Sequence, residues 1–180
     1  MKFHETKLKG AFIIEPELQV DDRGFFARTW CQNEFTAHGL NPHFVQGNMS
    51  LGQRKGTLRG LHYQMAPHAE IKLVRCTRGE VYDVIVDLRP DSSTYTQWIG
   101  EVLSSINYRM LYVPEGFAHG FQTLEDNSEV AYQVSEFFKP NFEKGIRWND
   151  PAFAISWPIA DGPIISQKDK SWPDYTPSAS

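Results

Sequence analysis

Short runs of β-branched and aromatic residues recur along the chain, and each is long enough for one strand of a sheet. Turn-forming residues separate the runs at intervals of roughly 8 to 12 residues, a spacing typical of an antiparallel sandwich or barrel. Helical periodicity is weak, with one short helix predicted at residues 33–38 and a turn at residues 150–153. The pattern predicts a single all-β domain over residues 1–180. The predicted strands cover residues 12–14, 25–30, 72–76, 81–88, 98–103, 110–113 and 129–137.

The composition is that of an ordinary globular protein, with 41% hydrophobic and 22% charged residues. A net charge of −4 gives no electrostatic reason to expect nucleic acid or an anionic membrane as a partner. Cys31 and Cys76 lie in apolar or strand-like stretches, so we expect free, buried thiols. The start of the chain is polar, and no apolar run approaches the ~20 residues of a membrane helix. These features predict a cytoplasmic protein, frayed at residues 177–180.

Polar side chains able to do chemistry are concentrated in residues 56–64 and 114–121, with others spread through the last third of the chain. If the first segment is an extended strand, alternation places Arg59 and His62 on opposite faces. A twist or bulge at Gly60 would bring them together, and glycine inside a strand often marks such a feature. A lone histidine beside apolar residues is more often structural, so only the combination of these residues indicates a site.

Eight strings in chain order, over almost the whole sequence, resemble the dTDP-4-dehydrorhamnose 3,5-epimerase family. The resemblance implies a cupin-type jelly-roll barrel (a double-stranded β-helix) with few short helices. It also implies a homodimer that works without a metal or an organic cofactor. The strings are Asp22-Arg23-Gly24-Phe25-Phe26, Gln46-x-Asn48-x-Ser50, Gly56-x-Leu58-Arg59-Gly60-Leu61-His62-Tyr63-Gln64, Lys72-Leu73-Val74, Gly79-x-Val81-x-Asp83-Val84, Pro114-x-Gly116-Phe117-Ala118-His119-Gly120-Phe121, Trp148-Asn149-Asp150-Pro151 and Ser166-x-Lys168-Asp169.

The implied reaction is epimerisation of a nucleotide-linked 4-keto-6-deoxy sugar at C3, C5 or both. It would convert dTDP-4-dehydro-6-deoxy-D-glucose to dTDP-4-dehydro-L-rhamnose through an enolate. Inversion needs a base on one face of the sugar, a donor at the enolate oxygen and an acid on the opposite face. Imidazole titrates near neutral pH, which makes His62 the best candidate base. By resemblance, Asp169 hydrogen-bonds His62, Lys72 stabilises the enolate oxygen and Tyr132 is the acid.

The resemblance also implies a set of substrate-binding residues. Arginine suits a diphosphate because its planar fork of donors matches phosphate geometry, and the ring of Phe138 would stack on the base. The family usually has Glu where this chain has Arg28, and an acidic residue at Gly47. Both differences make the site more cationic and leave the preferred nucleotide open. The implied binding residues are Arg23, Arg28, Gln46, Asn48, Arg59, His119, Phe138, Glu143 and Lys168.

Other functions stay open at this point, including a single-centre epimerase and an epimerase acting on another nucleotide sugar. A non-catalytic cupin that binds sugar nucleotides would not need the His62–Asp169 pair together with Lys72 and Tyr132. A metal-dependent cupin would supply a His-x-His pair, but Gln64 stands two residues after His62. Because three well-placed ligands are the usual minimum for a catalytic metal, we expect none here.

Dimerisation is also expected from the N-terminal segment, residues 3–14, which is strand-like and has an edge to satisfy. Exposed edges invite pairing with another chain. By resemblance, the N-terminal region of one subunit would complete the partner's nucleotide site, which brings Arg23 and Arg28 close to it.

Overall fold

The computed structural model describes residues 1–176, so the predicted fraying at 177–180 lies outside the described residues. None of the helices within residues 1–176 is long and apolar enough to cross a membrane. The helical elements are α1 (Gln32–Ala37), a 3₁₀ turn (Pro140–Phe142) and α2 (Gln167–Lys170). The strands are β1 (Lys2–Glu5), β2 (Phe12–Glu15), β3 (Gln19–Asp21), β4 (Gly24–Phe26), β5 (Gln46–Gly52), β6 (Leu58–Gln64), β7 (Lys72–Arg78), β8 (Glu80–Asp87), β9 (Trp98–Ser104), β10 (Met110–Val113), β11 (Phe117–Thr123), β12 (Ser128–Val134) and β13 (Glu143–Gly145).

The strands form two sheets that pack face to face. One sheet has the order β1-β2-β10-β7-β12-β5, the other has the order β13-β6-β11-β8-β9, and β3 and β4 form a separate hairpin. The strand pairs within both sheets are antiparallel. This arrangement is a cupin-type jelly-roll barrel, so the predicted all-β fold class is confirmed.

The five-stranded sheet is buried on both faces. On β8, Val81 and Ile85 pack into the core between the sheets. Val84 and Val86 point the other way, into a second apolar cluster, the C-terminal cluster, which contains Trp157 from the C-terminal segment. A strand covered on both sides reads as a continuous apolar run, which is why β8 is predictable from sequence. The predicted strands at β2, β7, β8, β9 and β10 are confirmed to within two residues at each end.

The remaining predicted elements are partly right. Helix α1 matches the predicted helix at 33–38 to within one residue at each end, and the turn at 150–153 is present. The predicted strand at 25–30 is wrong beyond Phe26, where β4 ends. Its aromatic residues indicated a core strand, but the side chains of β4 are exposed on the hairpin.

The end of β12 also differs from the prediction. The strand stops at Val134, whereas the sequence predicts it to residue 137. Ser135 turns to residue 71, since its hydroxyl accepts the backbone N–H of Ile71 at 2.8 Å. The chain that follows carries exposed aromatic rings rather than core residues. The prediction from aromatic content alone therefore made this strand too long, as it did for β4.

A bulge separates the two halves of β6. His62 lies opposite His119 on β11, but Arg59 lies opposite Phe121, so β6 has one residue more than β11 between these pairs. Residues directly opposite each other on neighbouring strands share a face of the sheet. The extra residue at Gly60 therefore brings Arg59 and His62 to the same face, and the expected bulge is confirmed.

The bulge changes which side chains of β6 point away from the barrel. Leu58 and Leu61 both pack into the C-terminal cluster, although strict alternation would put them on opposite faces. Alternation over the whole of residues 58–64 is therefore wrong. Gly60 has φ +110°, and a Cβ there would lie 2.6 Å from the Cα of Gly120. Such close backbone approach requires glycine.

Candidate active site

A cavity of about 270 Å³ lies inside the barrel, between β6 and β13 on one side and β5, β7 and β12 on the other. A larger surface cavity of about 990 Å³ lies beside β1 and β9 and includes none of the predicted site residues. We place the site in the smaller cavity, because convergent titratable groups identify a site better than size does. Its lining residues are Gln46, Asn48, His62, Tyr63, Gln64, Glu70, Lys72, Tyr132, Val134, Phe138 and Glu143.

Three of the four predicted catalytic residues line this cavity from opposite sheets. His62 lies on β6 of the five-stranded sheet, while Lys72 on β7 and Tyr132 on β12 belong to the six-stranded sheet. Tyr132 is opposite Asn48, and Lys72 is opposite Val134, so all of these side chains share the inner face. A ligand in the cavity would therefore have His62 on one side and Tyr132 on the other.

The fourth predicted catalytic residue, Asp169, lies directly behind His62. The Nε2 atom of His62 is 2.6 Å from Oδ1 of Asp169, whose other oxygen accepts the backbone N–H of Gly60 at 3.2 Å. A carboxylate can only accept, so Nε2 carries the proton and Nδ1 is left as the basic nitrogen. Burial raises the pKa of Asp169, but its hydrogen bonds to His62 and Gly60 outweigh burial and lower the pKa below its usual value.

Local sequence explains why Asp169 stands at this point. Ser166 is the N-cap of α2, and its Oγ accepts the backbone N–H of Asp169 at 3.0 Å. The cap fixes the first turn of this short helix against β6. Asp169 is therefore held by backbone geometry, and its carboxylate is buried where the ring of His62 meets it.

Lys72 is paired with the carboxylate of Glu70, which is not among the predicted site residues. Its Nζ lies 3.1 Å from Oε1 of Glu70 and 3.5 Å from the backbone oxygen of His62. The amide of Gln64 donates to Oε2 of Glu70 at 3.2 Å. The Lys72 ammonium is therefore held in place by a largely buried network that includes Glu70 and Gln64.

Tyr132 is an unusually weak acid in this setting. Burial raises the pKa of its phenol, the nearby Glu70 carboxylate raises it further, and the Arg59 guanidinium lowers it by a smaller amount. The phenol therefore stays neutral well above neutral pH and is available as a proton donor.

His119 belongs to a second histidine–carboxylate pair, deeper in the barrel. Its Nε2 lies 2.9 Å from Oδ1 and 3.1 Å from Oδ2 of Asp83 on β8. His119 is 6% exposed and Asp83 is fully buried, and His119 is not part of the cavity lining. Within this chain His119 is opposite His62 on the neighbouring strand, so it supports the wall on which His62 stands.

Four of the predicted nucleotide-binding residues line the cavity: Gln46, Asn48, Phe138 and Glu143. Nε2 of Gln46 donates to Oδ1 of Asn48 at 3.1 Å, and Oε1 of Gln46 accepts the backbone N–H of Phe138 at 3.4 Å. The ring of Phe138 is about half exposed. Nζ of Lys168 lies 2.6 Å from each oxygen of Glu143. An aromatic face and paired polar groups therefore surround the entrance.

The three predicted arginines lie apart from the cavity lining. Arg59 donates to the backbone oxygen of Leu51 at 3.1 Å, close enough to Tyr132 to affect its pKa. Arg23, at the tip of the β3–β4 hairpin, is paired with Asp21 of the same hairpin. Arg28 is paired with Glu34 on α1 at 3.0 Å. Within one chain, Arg23 and Arg28 do not reach the cavity.

Sequence reasoning did not assign four polar residues to the site: Tyr63, Gln64 and Glu70, which line the cavity, and Asp83, which is paired with His119. Glu70 and Asp83 could have been found from strand geometry, because Glu70 is two residues before Lys72 and Asp83 lies on the strand next to His119. Within residues 1–176, no group of three or more His, Cys, Asp or Glu side chains is placed to hold a metal ion. The metal-free character of the site stays a prediction.

Comparison with known proteins gives a consistent result over the whole length. The family model described as dTDP-4-dehydrorhamnose 3,5-epimerase matches residues 5–176. The dTDP-4-dehydrorhamnose 3,5-epimerase of Methanothermobacter thermautotrophicus is 47% identical over 173 residues, which is 95% of this chain and 92% of the relative.

Solved structures agree with the sequence matches. The dTDP-4-dehydrorhamnose 3,5-epimerase of Bacillus anthracis, with TDP and PPi bound, has a TM-score of 0.93 at 45% identity and covers 97% of this chain and 99% of its own. A dTDP-6-deoxy-D-glucose-3,5-epimerase of Legionella pneumophila, in complex with dTDP-4-keto-L-rhamnose, has a TM-score of 0.87 at 40% identity, covering 93% and 89%. The chain belongs to the dTDP-4-dehydrorhamnose 3,5-epimerase family.

Proposed function

We propose that this protein converts dTDP-4-dehydro-6-deoxy-D-glucose to dTDP-4-dehydro-L-rhamnose by inverting C3 and C5. The observation that carries the proposal is the placement of His62 and Tyr132 on opposite sheets, with the Lys72 ammonium at the same cavity. A base and an acid on opposite sides of a sugar ring are what inversion requires. A protein that only bound the nucleotide sugar would not need this arrangement.

The reaction begins when Nδ1 of His62 removes the proton from a carbon next to the keto group. Asp169 accepts from Nε2, which fixes the ring and stabilises the imidazolium that forms. The ammonium of Lys72 stabilises the enolate oxygen at C4. Tyr132 then donates its phenolic proton to the opposite face of the same carbon. Solvent returns a proton to Tyr132 and removes one from His62, and the cycle repeats at the second carbon.

The shape of the site supports a sugar ring inside the barrel and a nucleotide outside it. The cavity of about 270 Å³ is slightly smaller than the usual pocket for a drug-sized ligand and suits the keto sugar alone. Phe138 presents a half-exposed aromatic face at the entrance, where a base would stack. Lys168 and Arg59 are the proposed cations for the diphosphate, with Gln46 and Asn48 as hydrogen-bonding partners.

A test on the wild-type enzyme uses dTDP-4-dehydro-6-deoxy-D-glucose in deuterated water, followed by NMR. We expect deuterium at both C3 and C5 and conversion to the L-lyxo keto sugar, at a rate unchanged after dialysis against a chelator. Exchange at one carbon only would make the protein a single-centre epimerase. Binding without exchange would contradict the proposed activity on this substrate, and the same assay with other nucleotides would follow. A rate that falls with the chelator would contradict the metal-free mechanism.

The working unit is proposed to be a homodimer in which the β3–β4 hairpin reaches the partner's site. An isolated two-stranded hairpin is only marginally stable in water, yet this one carries exposed apolar side chains. Val20 is 76% exposed and Phe26 is 67% exposed. Contiguous exposed apolar surface marks a contact with another molecule. Docking of the hairpin would also bring Arg23 and Arg28 to the partner's nucleotide.

Dimerisation can be tested with a charge on this hairpin. We expect the wild type to be a dimer by light scattering and the Val20→Lys variant to be mainly monomeric, with KM raised at least about tenfold, because a buried unpaired charge is costly. The control is Ile106→Lys, which puts the same charge at an 83% exposed side chain in the β9–β10 turn. A fully active wild-type monomer would contradict the proposal.

Two further sequence predictions stay proposals. The single-domain organisation over residues 1–180 is supported by the family match, which covers most of the chain. The cytoplasmic location is supported by Cys31 and Cys76, which are both free thiols. Reducing compartments keep thiols in this state.

A further inference from the structure

We propose that Glu70 is a positioning residue of this site, whose carboxylate holds the Lys72 ammonium in place in the cavity and helps to keep the phenol of Tyr132 protonated. The inference rests on the proposed function and adds to it a residue that sets the pH range of activity. Glu70 comes just before β7 and lines the cavity beside Lys72 and Tyr132.

The contacts of Glu70 fix its position. Its Oε1 is 3.1 Å from Nζ of Lys72, and the two side chains are only 12% and 9% exposed. Its Oε2 accepts from Nε2 of Gln64, which also donates to the backbone oxygen of His68 at 3.1 Å. Oε1 of Gln64 in turn accepts the backbone N–H of Lys139 at 2.6 Å. The carboxylate is therefore aimed at Lys72 by groups outside the catalytic set.

The other charged groups around the cavity do not offer Lys72 a second counter-ion. Asp169 on α2 is paired with His62 on β6, and Glu143 on β13 is paired with Lys168. In the part of the chain that the structure describes, Glu70 is the carboxylate left to Lys72. A buried ammonium without a counter-ion is strongly disfavoured relative to its neutral form.

Glu70 also acts on Tyr132. Burial is the main cause of the raised pKa of the phenol, the negative charge of Glu70 raises this pKa further, and the Arg59 guanidinium on β6 lowers it. Removing the carboxylate would therefore favour loss of the phenolic proton, which the mechanism needs to complete the inversion. The effect should appear on the alkaline side of the pH profile.

The test compares kcat/KM against pH for the wild type and the Glu70→Gln variant, which keeps the shape of the side chain. We expect the alkaline limb of the variant to move down by about one pH unit, the usual effect of losing a nearby opposite charge. KM should stay within about twofold. The matched control is Glu129→Gln on the strand of Tyr132, because the Glu129 carboxylate accepts only from Thr77 among the described residues. A Glu70→Gln profile that overlays the wild type would overturn the proposal.

A spectroscopic titration tests the same inference without relying on turnover. The absorbance change that Tyr132 contributes on ionisation is the difference between each protein and its Tyr132→Phe version. We expect ionisation at lower pH with Glu70→Gln than without it, and an unchanged value would overturn the inference. If the Gln variant does not fold, Glu70→Ala takes its place in both tests with the same expected results, because it also removes the carboxylate beside Lys72 and Tyr132. A wild type that titrates as expected but does not turn over the keto sugar would refute only the proposed function.

Discussion

Replacing His62 with alanine should lower kcat by about a thousandfold or more, the scale of general base catalysis, while the fold stays intact. His62 is the proposed base, and no other side chain that lines the cavity combines a free imidazole nitrogen with a fixed carboxylate partner. The ring lies at the cavity wall and is about a third exposed, so its removal leaves the apolar core unchanged. Affinity for dTDP should change little, because the proposed nucleotide position is outside the barrel.

The measurements are turnover and deuterium exchange by NMR, dTDP affinity by calorimetry, and thermal unfolding by circular dichroism. The matched control is His43→Ala, which removes an exposed imidazole that is not part of the cavity lining and is expected to leave all of these quantities unchanged. Retained exchange at C3 and C5 in His62→Ala would remove His62 as the base. A collapse of dTDP affinity would show instead that His62 acts mainly in binding.

Sequence patterns predict the strands that bury apolar side chains in the core. They fail for a strand whose polar side chains face the cavity inside the barrel. β5 is the clearest example, because Gln46 and Asn48 point into the cavity while Met49 and Leu51 are 71% and 41% exposed. This is the reverse of the usual apolar-in pattern, and no run of core residues marks the strand. The functional requirement for polar groups inside the barrel therefore hides the strand from a search for hydrophobic alternation.

Some features of the site could likewise be predicted from the sequence, and others could not. The bulge at Gly60 could be predicted from local sequence, because alternation alone would not bring Arg59 and His62 together. The contact between His62 and Asp169 spans 107 positions, so only the resemblance to a family could propose it. Glu70 was not assigned to the site because the exact partner of a carboxylate depends on how strands cross the barrel.

Arg23 of the hairpin and Arg28, two residues after β4, are predicted binding residues that a single chain does not bring to the cavity. Arg23 and Arg28 match binding positions by resemblance, but each is paired with a carboxylate of its own chain and neither reaches the cavity. A second subunit is the physical way to bring them there, because the hairpin is exposed and apolar. The resemblance predicts both their role and the need for a partner, and the fold adds that neither arginine reaches the cavity of its own chain.

Replacing Tyr132 with phenylalanine should separate the two halves of the reaction. We expect net epimerisation to fall by about a hundredfold or more, since the acid on the second face is lost. Exchange of deuterium into the substrate should continue, because His62 and Lys72 still form the enolate and the base can return a deuteron to the face it came from. NMR in deuterated water would then show loss of the C–H signal without the L-lyxo product.

The structure makes this variant a clean test of chemistry. Tyr132 packs against the core between the sheets, and its hydroxyl makes no hydrogen bond within the described residues, so phenylalanine fills the same space and leaves no buried partner unsatisfied. The control is Tyr82→Phe on β8, whose ring packs in the C-terminal cluster on the far side of the sheet and should not affect turnover. Loss of exchange together with inversion would mean that Tyr132 acts in proton removal. Inversion at the wild-type rate would mean that the second proton comes from another donor, which would require the opposite face of the sugar to be open to water.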